Sequence, residues 1–333
     1  MQITFGQLVK FIKVIEQPCL YPDKKRKSFF KRVFDNLKWY FDNGRINEDY
    51  NLYGLDLVGT NSDNYLTHKE RFEDVIRFEH IYKFNSLLNN IEDKYLFYLF
   101  CKNNKLSHPR VMLSYNNGHI SIIHDDIDKI LQNNYIFAKQ TIGYGGYEVR
   151  CIKNLKMFDA IKADWKDKTY IIQEGVKNHK NISRIYPNSL NTIRCVTVSD
   201  RKQIGFFSAV LRCGTSVSGS VDNVSSGGLV IGIDKHGKLM KYGHYDDFYK
   251  KKVIVHPDTG VRFEGIEVPF FNEVIKLAIR AHECIKEIPS IGWDIAVTES
   301  GVILIEGNYY WGLQIMQMCH GGLKNEWKNI YKE

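Results

Sequence analysis

Residues 294–308 read DIAVTESGVILIEGN, two apolar runs separated by a short polar segment. This pattern predicts two strands joined by a tight turn. If the turn centres on Ser300, Asp294 lies opposite Glu306, and alternation along the second strand puts Glu306 and Asn308 on one face. Oxygen atoms from these three side chains suit a hard cation such as Mg²⁺. The alternative is an exposed hairpin whose charges keep it soluble, but the apolar runs favour a buried one, in which carboxylates need a partner.

Upstream, residues 135–149 read YIFAKQTIGYGGYEV, a strand that carries Lys139 and is followed by a glycine-rich loop. Glycines let backbone N–H groups approach a phosphate closely, and a lysine adds positive charge. The loop matches neither a Walker A motif nor a dinucleotide fingerprint, so an ordinary hairpin remains an alternative. The glycines concerned are Gly143, Gly145 and Gly146.

Three further segments between these two could contact a ligand. Residues 171–176 (IIQEGV) form a strand that ends in Gln173 and Glu174, which could hydrogen-bond an adenine edge or simply end the strand. Arg194 and Arg212 lie on separate predicted strands, where an inward-facing arginine needs an anion. Their planar guanidinium groups suit a phosphate or a carboxylate, although both side chains could point outward. Residues 221–228 (VDNVSSGG) predict a mobile or ligand-contacting loop.

The chain begins with helical periodicity and ends with strands. Apolar residues recur at helical spacing in four segments, at 5–15, 29–39, 68–88 and 93–103. Strand patterns follow at 171–176, 193–198, 205–213, 228–234, 294–299 and 302–307, with one long helix at 272–287 between two prolines. A mostly helical N-terminal region followed by an α+β body is therefore expected.

Composition narrows the class of protein. The 333 residues are 44% hydrophobic and 25% charged, which excludes a disordered, fibrous or coiled-coil chain. No apolar run reaches the ~18 residues that cross a bilayer, and no signal-peptide pattern is present at the start. Seven cysteines without a CxxC pair predict reduced thiols and a cytoplasmic protein. No HExxH metal-binding motif is present. No GxSxG motif for a serine nucleophile is present either, so covalent catalysis by the protein is not expected.

The net charge of +8 includes a dense basic run at residues 24–32 (KKRKSFFKR). Such a run is usually a solvated face, but it could also meet an anionic membrane or another polyanion. Nucleic acid is not expected as a partner, because no RNA- or DNA-binding signature accompanies the run.

In this order, the motifs resemble the ATP-grasp superfamily, and within it the sugar-transfer-associated ATP-grasp proteins found with bacterial capsule and surface-polysaccharide genes. The resemblance covers about residues 91–324. It is carried by IIQEGVKNH (171–179), NSLNTIR (188–194), VDNVSSGG (221–228) and IGWDIAVTESGVILIEGN (291–308). It implies two α+β lobes that clasp ATP. The expected divisions are a helical N-terminal region at 1–90, a first lobe at 91–170 and a second lobe at 171–333.

The resemblance also implies roles for individual residues. Lys94 and Lys139 match lysines that contact phosphates, and the glycine-rich loop and Asn223 match further nucleotide contacts. The adenine-binding hinge corresponds to Gln173, Glu174 and Val176, with Glu174 or His179 as the ribose partner. The magnesium ligands correspond to Asp294, Glu306 and Asn308. Arg194 and Arg212 match residues that stabilise the transferring phosphoryl group or the substrate carboxylate. Two departures are Gln140, where many members have proline, and the helical N-terminal region in place of a Rossmann-like domain.

The activity implied is an ATP- and Mg²⁺-dependent carboxylate–amine ligase that forms an amide through an acyl phosphate. Its substrates would be a uronic acid, an amino acid or a nucleotide-linked sugar in surface-polysaccharide synthesis. Alternatives are an ATP-grasp phosphotransferase that needs no amine, and a non-catalytic module that binds nucleotide or polyanions. The N-terminal region would cap the substrate side or dock a glycosyltransferase partner.

Overall fold

The computed structural model contains two antiparallel sheets with helices packed between and around them. Across the described chain, none of the helices is both long and apolar enough to span a lipid bilayer. All seven cysteines lie among the described residues, and none of them forms a disulfide. The structure describes residues 4–82, 84–116, 119–123, 136–143, 149–152, 157, 165, 168–200, 202–219 and 222–330.

Helices dominate the N-terminal part of the chain, as its periodicity predicts. They are α1 (Phe5–Glu16), α2 (Phe29–Asn43), α3 (His68–Tyr82), α4 (Asn85–Glu92) and α5 (Lys94–Asn103). Thr4 and Gln7 form a capping box at the start of α1, and Gly44 ends α2 in the left-handed region with φ 71°. The single helix predicted at 68–88 is wrong, because α3 ends at Tyr82 and α4 follows. That segment contains no glycine or proline to signal the break.

The first sheet has the strand order β2-β1-β5-β3-β4, and every adjacent pair is antiparallel. Its strands are β1 (Val111–Asn116), β2 (His119–Ile122), β3 (Ile136–Gln140), β4 (Arg150–Ile152) and β5 (Thr169–Glu174). The lobe boundary expected after residue 170 falls inside β5, the central strand. We therefore place the end of the first lobe after Glu174.

The second sheet has the order β11-β10-β6-β7-β8-β9 and is also antiparallel. Its strands are β6 (Thr192–Ser199), β7 (Ile204–Cys213), β8 (Leu229–Ile233), β9 (Leu239–His244), β10 (Ser290–Thr298) and β11 (Gly301–Asn308). These bounds confirm the strand patterns of the sequence. The remaining helices are α6 (Lys180–Ser183), α7 (Phe271–Glu283), α8 (Leu313–His320) and α9 (Lys324–Ile330).

Each face of the second sheet is covered by a different part of the chain. Alternation along β6 sends Ile193 and Cys195 into a core shared with α7. Val196 and Val198 face the other way, into a core that contains Trp39 of the N-terminal region. The N-terminal region therefore packs as part of the second lobe.

Helix α5 lies between the two sheets. Phe97 and Cys101 belong to the core of the second sheet, whereas Tyr98 packs with Val111 and Ile171 of the first sheet. The amide of Lys94 donates to the carbonyl of Thr141 at 2.9 Å. This helix fixes the spacing between the sheets, and a cleft opens beside it.

The packing of the N-terminal region predicts that Leu→Ala substitutions at different positions destabilise the protein to different extents. Leu52 is fully buried in the core it shares with the second sheet, whereas Leu8 on α1 is exposed. We expect Leu52→Ala to lower the free energy of unfolding by about 2–5 kcal/mol. The matched control Leu8→Ala should change it by about 0.5 kcal/mol or less. Urea unfolding measures both, and equal effects would contradict the packing described.

Candidate active site

The cleft between the two sheets has a volume of about 1000 Å³. It brings together most of the residues that the sequence singles out. Gly145 and Gly146 lie outside the described residues, and His179 does not line the cleft. The predicted residues that line it are Lys94, Lys139, Gly143, Gln173, Glu174, Val176, Arg194, Arg212, Asn223, Asp294, Glu306 and Asn308.

The hairpin of β10 and β11 forms one wall of the cleft. Asp294 pairs with Glu306 across the two strands, as predicted, and Gly292 pairs with Asn308. The predicted turn centre at Ser300 is wrong: Thr298 pairs with Gly301, and a register shift between Asp294 and Ile295 brings Asp294 opposite Glu306. Glu306 and Asn308 are two residues apart on β11 and share a face. The hairpin thus presents a buried aspartate beside a glutamate and an asparagine.

Asp294 is held by two arginines from neighbouring strands. Arg194, directly opposite on β6, engages both carboxylate oxygens, with Nη2 at 2.9 Å from Oδ2. Arg212 of β7 donates from Nη1 to Oδ2 at 2.6 Å. The side chain is 2% exposed. Burial alone would raise the pKa of Asp294, but the two guanidinium groups outweigh it and hold the pKa well below its usual range.

Asp222 is a functional candidate that the sequence reasoning missed. Its Oδ1 accepts from Arg212 Nη2 at 3.0 Å, and its Oδ2 accepts from the amide of Thr192 at 3.1 Å. Arg212 is therefore clamped between Asp222 and Asp294. Sequence analysis placed Asp222 in a mobile or ligand-contacting loop. The signal that could have identified it is its position shortly after the predicted strand that carries Arg212. These contacts anchor the start of the loop, and its next residue, Asn223, lines the cleft.

Glu306 and Asn308 suit a hard cation as a common partner better than they suit each other as hydrogen-bond partners. Asn308 Nδ2 donates to Glu306 Oε1 at 3.3 Å. Burial and the nearby charge of Asp294 raise the pKa of Glu306 despite the positive charges of Lys94 and Arg212, so its charged form is only partly compensated. A divalent cation between the oxygens of Glu306 and Asn308 would supply that compensation.

Asp294 stands apart from the other two predicted ligands because both of its oxygens are engaged by arginines. Among the described residues, no three His, Cys, Asp or Glu side chains are grouped to hold a metal. The set here is two carboxylates and one amide. Glu306 and Asn308 would thus be the direct ligands, with Asp294 contributing negative charge next to them.

The first lobe contributes two lysines to the opposite wall. Lys139 Nζ donates to Gln173 Oε1 at 2.8 Å, and Lys94 Nζ donates to the carbonyl oxygen of Gly143 at 3.0 Å. Burial, together with the positive charge of Lys94, lowers the pKa of Lys139 to about 8. These two ammonium groups face a cleft that contains the carboxylates of the second lobe.

At the end of β5, Glu174 is bound by Arg110, a residue that the sequence analysis did not single out. Arg110 donates to Glu174 Oε2 from Nε and to Oε1 from its backbone amide, both at 2.9 Å. Gln173 and Glu174 thus have protein partners already, whereas the backbone that follows, through Val176, lines the cleft. Hydrogen bonding to an adenine edge would use that backbone.

His179 has a structural position instead. Its Nδ1 accepts from the amide of Asn181 at 3.1 Å at the start of α6, and its Nε2 lies 3.4 Å from a carboxylate oxygen of Glu299. Because its side chain caps a helix and does not line the cleft, we leave it out of the nucleotide site and keep Glu174 as the ribose candidate.

Comparison with known proteins identifies one family and several solved structures of low sequence identity. A family model described as sugar-transfer associated ATP-grasp matches residues 74–332. No curated protein matches the chain. Similar solved structures include N5-carboxyaminoimidazole ribonucleotide synthetase from Thermotoga maritima, with 14% identity, 75% of this chain and 60% of that chain covered, and a TM-score of 0.39.

Two further structures are similar at the same level. D-alanine–D-alanine ligase from Bacillus anthracis has 12% identity and a TM-score of 0.43, covering 72% of this chain and 63% of that chain. D-alanyl-alanine synthetase A from Vibrio cholerae has 13% identity and a TM-score of 0.40, covering 73% and 61%. This chain spans less than two thirds of the length of these structures.

The electrostatics of the cleft predict very unequal losses of stability for two carboxylate-to-amide changes. Asp294→Asn leaves two buried guanidinium groups undercompensated, and we expect it to lower the free energy of unfolding by about 3–5 kcal/mol. Glu306→Gln removes a charge that the fold disfavours and should cost no more than about 0.5 kcal/mol. Denaturant unfolding near neutral pH, with a chelator and no nucleotide, measures both. Equal losses would contradict the assignment of charges.

Proposed function

Because the chain belongs to the sugar-transfer-associated ATP-grasp family, we propose that it is an ATP- and magnesium-dependent carboxylate–amine ligase. The observation that carries the proposal is the charge arrangement of the cleft. Two arginines are locked onto Asp294 beside Glu306 and Asn308, while two lysines approach from the other lobe. Such a cleft suits a triphosphate with a divalent cation.

ATP would bind with its phosphates between the lobes. Lys94 and Lys139 neutralise phosphate charge from the first lobe, and the glycine-rich loop after Lys139 covers the phosphates. The backbone between Glu174 and Val176 holds the adenine edge. Glu306 and Asn308 would hold Mg²⁺, which would offset the negative charge of the phosphates.

Arg194 and Arg212 orient the reacting groups. Asp294 and Asp222 fix their guanidinium planes before any substrate binds, so little reorganisation is needed when charge develops on the transferring phosphoryl group. In the reaction, a substrate carboxylate oxygen attacks the γ-phosphorus and ADP leaves. The amine then attacks the acyl carbonyl carbon, inorganic phosphate leaves, and the nitrogen loses a proton to give the amide.

The proposed reaction uses no protein nucleophile, and two thiols of the second sheet agree with that. Cys195 and Cys213 of the second sheet are completely buried, and burial raises the pKa of both. Neither is a reactive thiolate at neutral pH. The loop that begins at Asp222 and the glycine-rich loop would close over the acyl phosphate and exclude water.

The substrate class follows from the family description rather than from the cleft. We propose a sugar-linked or amino acid carboxylate and an amine, used in the cytoplasm for surface-polysaccharide synthesis. A free-thiol chain fits a reducing compartment. In this proposal the lobes are residues 91–174 and 175–333, and the N-terminal region caps the substrate side or docks a glycosyltransferase.

The lowered pKa of Lys139 predicts how the affinity for nucleotide depends on pH. Its pKa is lowered to about 8, so the ammonium group is present below that pH and is lost above it. We expect the affinity for ATP with Mg²⁺ to fall as the pH rises from about 7 to about 9, by up to about tenfold. Lys139→Arg stays protonated and should flatten the dependence. Calorimetry measures both proteins; identical pH profiles would argue against Lys139 as a phosphate contact.

The ligase reaction predicts an acyl phosphate that hydroxylamine can trap. With ATP, Mg²⁺ and hydroxylamine, a panel of uronic acids and amino acids should yield a hydroxamate together with ADP for the true substrate. Glu306→Gln should reduce that rate at least about a hundredfold. The matched control Glu299→Gln changes an exposed carboxylate at the turn of the same hairpin and should retain the rate.

The same assay separates the ligase from the phosphotransferase. A stable phosphorylated product that forms without any amine, and that hydroxylamine does not trap, would contradict the ligase reaction. Equal activity of Glu306→Gln and Glu299→Gln would contradict the assignment of the site to the hairpin.

A further inference from the structure

Helices α1 and α2 expose an unusual number of large apolar side chains, which we call the apolar faces. Phe5 on α1 and Phe30 on α2 are each 82% exposed. Patches this dense on a protein surface usually mark an interaction site. The exposed members are Phe5, Leu8, Val9 and Ile12 on α1, and Phe29, Phe30, Phe34 and Phe41 on α2.

The apolar faces are separate from the residues that hold these helices on the protein. Val14 and Ile15 of α1, and Asn36, Trp39 and Tyr40 of α2, are the buried side chains. The exposed apolar residues are different ones, so each helix has more apolar surface than its packing uses. The fold alone gives no reason for them.

The two helices run antiparallel. Arg32, near the start of α2, donates to the carbonyl oxygen of Ile15 at the end of α1, at 2.5 Å. Tyr40, near the end of α2, reaches Gln7 near the start of α1, at 3.4 Å. With 12 and 15 residues they are about 18 and 22 Å long, which suits helices that lie along a surface.

Positive charge is concentrated in the same region. Residues 1–48 contain ten Lys or Arg and five Asp or Glu, a net charge of +5 out of +8 for the whole chain. Lys13, Lys24 and Lys25 are exposed and have no carboxylate partner among the residues that the structure describes. Within the basic run at residues 24–32, Arg26, Lys27 and Lys31 pair with Asp56 or Asp35, so the run leaves Lys24 and Lys25 as exposed charges before the start of α2.

We propose that the apolar faces and these lysines dock the protein on an anionic phospholipid membrane. A bilayer surface offers negative headgroups to the lysines and an apolar layer beneath them to the phenylalanines. A second copy of the chain would bring two positive faces together. A hydrophilic polyanion would leave the phenylalanines in water. This membrane contact does not depend on the chemistry proposed for the cleft.

The test is flotation of the full chain with vesicles of phosphatidylcholine alone or of equimolar phosphatidylcholine and phosphatidylglycerol. We expect flotation with the anionic vesicles only, weakened by added salt. Phe30→Ser with Phe34→Ser should weaken the partition by at least about tenfold. Lys13→Gln with Lys25→Gln should weaken it roughly 30-fold.

The matched control is Tyr249→Ser, which removes an exposed aromatic outside the N-terminal region and should float like the unchanged chain. Circular dichroism and thermal unfolding verify that each variant is folded. Absence of flotation with anionic vesicles, or equal flotation of all variants, would overturn the proposal. So would a dimer in sedimentation that the phenylalanine variants dissociate, because a second copy would then cover the apolar faces.

Discussion

The rest of the structure depends on one buried ionic contact, in which Asp294 is shared by Arg194 and Arg212. It joins three adjacent strands, β10, β6 and β7, at the floor of the cleft. Buried ion pairs add little net stability compared with apolar packing, so a fold has no general reason to keep one. Here Asp294 fixes two guanidinium groups at the cleft. Its negative charge also adds to the burial that raises the pKa of Glu306.

The N-terminal region supports this array through the chain that follows β11. Arg194 Nη1 donates to the carbonyl oxygen of Trp311 at 3.1 Å, and Arg71 of α3 lies 4.6 Å from the centre of the Trp311 ring. A Cβ on Gly292 would lie 2.3 Å from Trp311 Cβ, so only glycine allows this approach. Helix α3, the Trp311 side chain and the arginines therefore form one connected support beneath the cleft.

The sequence allows the hairpin to be predicted because alternation and a turn signal are local. The pairing of Asp294 with Glu306 is confirmed, but it depends on a register shift between Asp294 and Ile295 that alternation and the turn do not predict. The partners of Asp294 could not be predicted, because Arg194 is 100 residues away and adjacency of β6 and β10 is a property of sheet order. Arg110 was missed for the same reason, since Glu174 is 64 residues away, whereas Asp222 lies only ten residues from Arg212 and could have been found.

The central claim is that Glu306 and Asn308, beside the arginine-bound Asp294, hold the cation of a nucleotide between the lobes. A crystal structure with a non-hydrolysable ATP analogue and Mn²⁺ tests it most directly, because Mn²⁺ is located by its anomalous scattering. The account predicts a Mn²⁺ peak within coordination distance of Glu306 and Asn308, with the triphosphate reaching towards Lys139. A nucleotide bound outside this cleft, or a cation held away from both side chains, would contradict it.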